Sequence, residues 1–139
     1  MIYNPLGHTG IKVSAVVFGG IINRDESQGD ANGNVAKAVA AGINYFDVAP
    51  SYGNSQERLG PALAPYRANV HLACKTMARD AKGAKAEMEE SLRLLQTDYF
   101  DVYQLHALST DADLDEALGP GGAMETLARA KQAGIIRHV

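Results

Sequence analysis

The chain has 139 residues, with 13 Lys and Arg against 16 Asp and Glu and a net charge of −3 when histidines are neutral, the length of one ordinary domain. At 46% hydrophobic and 21% charged residues, with 14 Gly and 5 Pro, it is excluded from the disordered and fibrous classes. There is no block of like charge to form a nucleic-acid footprint, and no apolar run near the ~20 residues that span a bilayer. Cys74 is the sole cysteine, which rules out an intramolecular disulfide or a multi-cysteine metal site, and the N-terminus lacks the apolar core of a signal peptide. The expectation is a cytoplasmic protein with a small-molecule ligand, no nucleic acid and no membrane.

The elements follow in chain order. Short apolar runs over 3–6 and 11–13 flank a glycine-bounded turn at 7–10 and predict a β-hairpin. The continuous apolar run 15–18, ended by Gly19 and Gly20, predicts a strand buried on both faces. Helical spacing of Val35, Ala38, Val39 and Ala41 predicts a helix over 30–41, stopped by Gly42. A strand over 43–46 ends in Asp47, and a short helix over 55–64 starts at a cap formed by Asn54 or Ser55.

A third strand, 70–74, ends in Lys75. Ala84, Met88, Leu92 and Leu95 form one apolar stripe of a helix over 82–96. A fourth strand, 99–105, ends in His106; a loop through Gly119 to Gly122 leads to a helix over 123–133, and Ile135 and Ile136 begin a fifth strand.

Strand and helix alternate four times, which predicts a parallel sheet covered by helices. Asp47, Lys75 and His106 recur at intervals of about 30 residues, the length of one βα unit. No Gly-x-Gly-x-x-Gly follows the first strand, so a (β/α) barrel is favoured over a doubly wound nucleotide fold.

In such a barrel the C-terminal strand ends share one mouth, so Asp47, Lys75, His106 and the nearby Tyr52 converge despite their separation in sequence. A phenol alone is a weak acid at neutral pH; a lysine cation beside it favours the phenolate, and an aspartate keeps that lysine charged and fixed. His106 adds a group able to orient a carbonyl oxygen or share the proton. One acid, one imidazole and no nucleophile suit carbonyl reduction by an external hydride donor, which implies a nicotinamide cofactor. His8, His71 and His106 match no metal-ligand spacing, so no metal is expected. The positive charges of Arg67, Lys75, Arg79, Lys82 and Lys85 are diluted by Asp80, Glu87, Glu89 and Glu90, which favours a solvated helix face over a nucleic-acid patch. Cys74, on the opposite side of its strand from Lys75, is expected to be a buried small hydrophobe.

Several motifs in order carry a resemblance: Leu6-Gly-His-Thr-Gly-Ile-Lys-Val-Ser14, Phe18-Gly-Gly20, Gly42-Ile-Asn-Tyr-Phe-Asp47, Ser51-Tyr-Gly53, Glu57-Arg-Leu-Gly60, Cys74-Lys75 and Asp98-Tyr-Phe-Asp-Val-Tyr-Gln-Leu-His106. Over residues 1–139 the chain resembles the N-terminal half of an aldo-keto reductase: a (β/α)8 TIM-barrel type fold, here with an N-terminal hairpin, the first four βα units and the start of strand five. The resemblance implies NADPH-dependent reduction of an aldehyde or ketone, with Tyr52 as general acid in a tetrad with Asp47, Lys75 and His106. It also implies that Gly19, Gly20 and Asp47 contact the cofactor and that the hairpin plugs the bottom of the barrel. In this family the cofactor pocket is built largely from the other half. The competing expectation is therefore an inactive half-barrel or assembly module that forms a homodimer or pairs with a C-terminal half.

Overall fold

The computed structural model describes residues 1–139. Strands β1 (Tyr3–Pro5) and β2 (Lys12–Ser14) form an antiparallel hairpin with Tyr3 opposite Ser14. Its turn uses Gly7 and Gly10 at positive φ (51° and 79°), a backbone region that glycine enters without steric cost. Five further strands form one parallel sheet in sequence order: β3 (Phe18–Gly19), β4 (Tyr45–Asp47), β5 (His71–Thr76), β6 (Phe100–Leu105) and β7 (Ile136–His138). The expected start of a fifth core strand is thus β7, paired to β6.

The helices are α1 (Gln28–Ala40), α2 (Ser55–Leu63), α3 (Ala81–Leu94), α4 (Asp111–Leu118) and α5 (Ala123–Gln132). Ser27 caps α1 by accepting from the Asp30 N–H, and its hydroxyl donates to the Asp30 carboxylate at 2.6 Å. This reciprocal cap, worth about 1 kcal/mol, starts the helix before the Asp30 expected from apolar spacing. Asp80 caps α3 by accepting from the Gly83 N–H at 2.8 Å. Asn54 occupies the cap position of α2, but its side chain accepts from the Asp25 N–H at 2.8 Å instead.

Two expectations are corrected. The run 15–18 is not a buried strand: Val16 and Val17 are exposed, and pairing begins only at Phe18. The Ser14 hydroxyl donates to the Val16 carbonyl at 2.6 Å, so a side chain rather than a neighbouring strand satisfies that acceptor. Residues 111–118, for which the sequence predicts no helix, form α4, capped by Thr110 through the Asp113 N–H; only Ala117 of this helix is buried, so it shows little apolar periodicity.

The main core lies between sheet and helices. It joins Phe46, Leu72, Cys74, Phe100 and Tyr103 of the strands to Val35, Leu59, Leu63, Met88 and Leu127 of the helices. A second cluster of Val13, Tyr45, Ala73 and Val102 packs with Leu6 and Ile11, so the hairpin covers the other sheet face. Asn44, next to the start of β4, anchors it: its Oδ1 accepts from the Ser14 N–H at 2.7 Å and its Nδ2 donates to the Lys12 carbonyl at 3.0 Å.

Candidate active site

Parallel strands carry Asp47 to the end of β4 and Lys75 to the penultimate position of β5, while His106 follows the last residue of β6. The Lys75 ammonium forms an ion pair with Asp47 Oδ1. Its stem is largely buried, with the side chain 11% exposed against 25% for Asp47, so little solvent screens the pair. Tyr52 lies in the loop between β4 and α2, half-buried, with the Lys75 Nζ 5.8 Å from its ring centroid. The His106 ring stands edge-on to Tyr52 at a centroid distance of 5.9 Å, and its Nδ1 lies 3.5 Å from Ser51 Oγ. All four side chains read from the sequence therefore meet at one end of the sheet.

Tyr45 and Tyr52 lie in different surroundings. Tyr45, on β4, is buried, and burial with the nearby carboxylates of Asp47 and Asp101 pushes its phenol up to about 12. Such a phenol is a poor proton donor. Tyr52 instead sits in a loop with a cation within 6 Å of its ring, in reach of a cation–π attraction.

Gly19 and Gly20 differ. A Cβ at Gly19 would meet nothing within 4 Å, whereas one at Gly20 would lie 2.9 Å from the Asp47 carbonyl and 3.0 Å from Val48 Cβ. Close packing on β4 accounts for the second glycine; the first leaves bare backbone open beside Asp47. That open backbone beside Asp47 leaves room for a planar group against the strand end. A cleft of about 280 Å³ between α3 and α5, lined by Met88, Leu92, Ala130 and Ile135 among others, holds none of the four side chains.

Residues 15–139 match the model of the Aldo/keto reductase family. The chain belongs to that family. It is 33% identical to the L-galactose dehydrogenase of Arabidopsis thaliana, covering 96% of this chain and 46% of that protein. It is 34% identical to the aldo-keto reductase YhdN of Bacillus subtilis, covering 100% and 46%. A crystal structure of an aldo-keto reductase from Pseudomonas aeruginosa superposes with a TM-score of 0.87 at 31% identity, over 97% of this chain and 57% of that one. The holo form of an aldo-keto reductase from Bacillus halodurans gives 0.85 at 30% identity, over 99% and 49%. This aldo-keto reductase chain spans about half the length of the curated relatives it matches, and its five-stranded parallel sheet is a partial (β/α) barrel.

Two arginines of the family chain depart from the expected solvated face. Arg67 donates to Asp101 at 3.0 Å and to the Tyr99 and Val70 carbonyls. Arg79, its side chain 11% exposed, lies over the end of β6. Glu87, expected only as one charge of the solvated helix face, instead accepts through Oε2 from the Thr76 hydroxyl at 2.7 Å and the Met77 N–H at 2.8 Å, fixing the strand end just past Lys75. Its position on α3 at the helix's inner edge carries no sequence signal beyond a charge.

Proposed function

We propose that this chain supplies the acid–base machinery of an NADPH-dependent reductase that converts an aldehyde or ketone into an alcohol. The observation that carries this reading is the ion-paired Lys75 and Asp47 beside Tyr52, with His106 edge-on to the same phenol ring. Tyr52 donates its phenolic proton to the carbonyl oxygen as that oxygen gains charge. Lys75 stabilises the negative charge left on the phenol, and Asp47 holds the ammonium in place. His106 donates a hydrogen bond that orients the carbonyl. Gly19 and Asp47, with the neighbouring Gly20, border the nicotinamide. When bound, NADPH supplies the hydride that adds to the carbonyl carbon. A cytoplasmic setting agrees with a lone, buried, free thiol at Cys74.

A second reading has its own support. Strands β3 and β7 each pair on one side only, and Val16, Val17, Ile21 and Ile22 near β3 are exposed apolar residues. Open parallel edges and apolar surface invite a partner, so the alternative is an assembly module that pairs with a second copy or with a C-terminal half-barrel.

NADPH fluorescence on titration, followed by loss of the nicotinamide absorbance band with an aromatic aldehyde, tests the first reading. Binding with turnover supports it. No binding up to about millimolar cofactor, together with a dimer by light scattering, supports the module instead.

A further inference from the structure

His106 is held through its backbone on both sides. Upstream, its N–H donates to the Thr76 carbonyl of β5 at 2.9 Å. Downstream the chain turns at Ala107, whose φ of 52° lies in the left-handed region, unfavourable for a residue with a Cβ. One side chain grips that turn. Arg79 Nη2 donates to the His106 carbonyl at 2.8 Å and the Ala107 carbonyl at 3.0 Å, and its Nη1 donates to the Met77 carbonyl at 3.0 Å. Its Nε lies 3.4 Å from Asp113 Oδ1. That carboxyl is held below the ordinary carboxylate range first by the Thr110 hydroxyl, then by the Ser109 N–H, so it stays charged opposite the guanidinium.

We infer that Arg79 is a positioning residue for His106: it holds the left-handed turn at 106 and 107 and so aims the imidazole at Tyr52. This rests on the reading of His106 as a site residue. The arrangement needs the guanidinium fork, because one rigid plane reaches carbonyls of two loops and a carboxylate at once. A lysine ammonium is a single point on a flexible stem. It keeps the charge beside Asp113 and loses the simultaneous grip on three carbonyls. The link also ties the loop after β5 to the loop after β6, so the strand ends that bear Lys75 and His106 are braced against each other.

The test compares the parent chain with R79K and R79Q by NMR, reading the nuclear Overhauser contact between the His106 and Tyr52 rings alongside the melting temperature. Positioning predicts a clear contact in the parent and loss of more than about half its intensity in both variants while they remain folded, because the unclamped turn relaxes. In the active enzyme the same variants should lower kcat by about tenfold and change KM by less than about twofold. An undiminished ring contact in either folded variant, or no such contact in the parent, overturns the inference. Loss of folding in both variants also overturns it, in favour of a purely structural arginine. The ring contact is read without cofactor, so absence of turnover in the parent chain counts against the proposed activity and leaves this test to be judged separately.

Discussion

Lys75 on β5 forms its ion pair with Asp47 on β4, so the charged ends of two adjacent parallel strands are joined across the sheet. Asp47→Asn leaves the largely buried ammonium without its counter-charge. We expect a loss of about 1–3 kcal/mol in urea unfolding, below the full cost for a buried pair because Asp47 is partly exposed. Lys75→Met, which removes the buried cation and keeps the stem, should cost less. Equal stability of Asp47→Asn and the parent would show that water screens the pair.

Tyr52→Phe removes only the phenolic oxygen, for which no hydrogen bond within the protein is formed. Its melting temperature should stay within about 2 °C of the parent. In an active enzyme its kcat for aldehyde reduction should fall by about 10²–10⁴-fold, the usual contribution of a general acid. Turnover that survives the substitution unchanged would remove Tyr52 from the acid role.

Gly60 lies where α2 meets the end of α3: a Cβ there would stand 2.5 Å from the Leu94 carbonyl oxygen and 2.9 Å from Leu95 Cα. Backbone atoms on a packed helix cannot yield as a side-chain tip can. Gly60→Ala should therefore destabilise by about 1–3 kcal/mol despite alanine's better helix propensity. Thermal unfolding reads the sign directly.

Burial pushes the Cys74 thiol up from 9.0 to about 11, outweighing hydrogen bonds from Ser91 and Gln56. The native state thus holds this proton more tightly than the unfolded chain does. The stability it contributes is complete below pH 9 and is lost as pH rises toward 11, by on the order of 2 kcal/mol. Tyr45, raised from 10.0 to about 12, extends the decline upward. Urea midpoints should fall across this window and fall less in Cys74→Ser; native protein should resist a thiol reagent at pH 8 that labels it fully in denaturant.

The strand ends were legible because a strand buried on both faces is written as an apolar run, and a charged residue at its end is conspicuous. Asp47, Lys75 and His106 all stood out in this way. Val16 and Val17 mislead by the same rule, since apolar character alone does not say whether a neighbouring strand exists to cover a segment. The helix α4 hides because it buries a single alanine, although Thr110 followed by Asp113 is a capping pattern that signals its start. The grips of Arg79 and Glu87 were illegible for another reason. Arg79 donates to backbone carbonyls and Glu87 accepts from a backbone N–H, and backbone partners leave no trace in composition.

Asp101, 1% exposed, sits near the start of β6 and accepts from Arg67 at 3.0 Å, from Arg137 of β7 at 2.7 Å and from the Leu72 N–H of β5 at 2.9 Å. The two guanidinium groups also lie over Tyr99, at 4.0 and 4.3 Å from its ring centroid. This knot ties three neighbouring strands at the end opposite Lys75 and His106. The Asp101 knot and the candidate site thus lie at opposite ends of the sheet, so a substitution in the loop around Tyr52 leaves the contacts of Asp101 untouched.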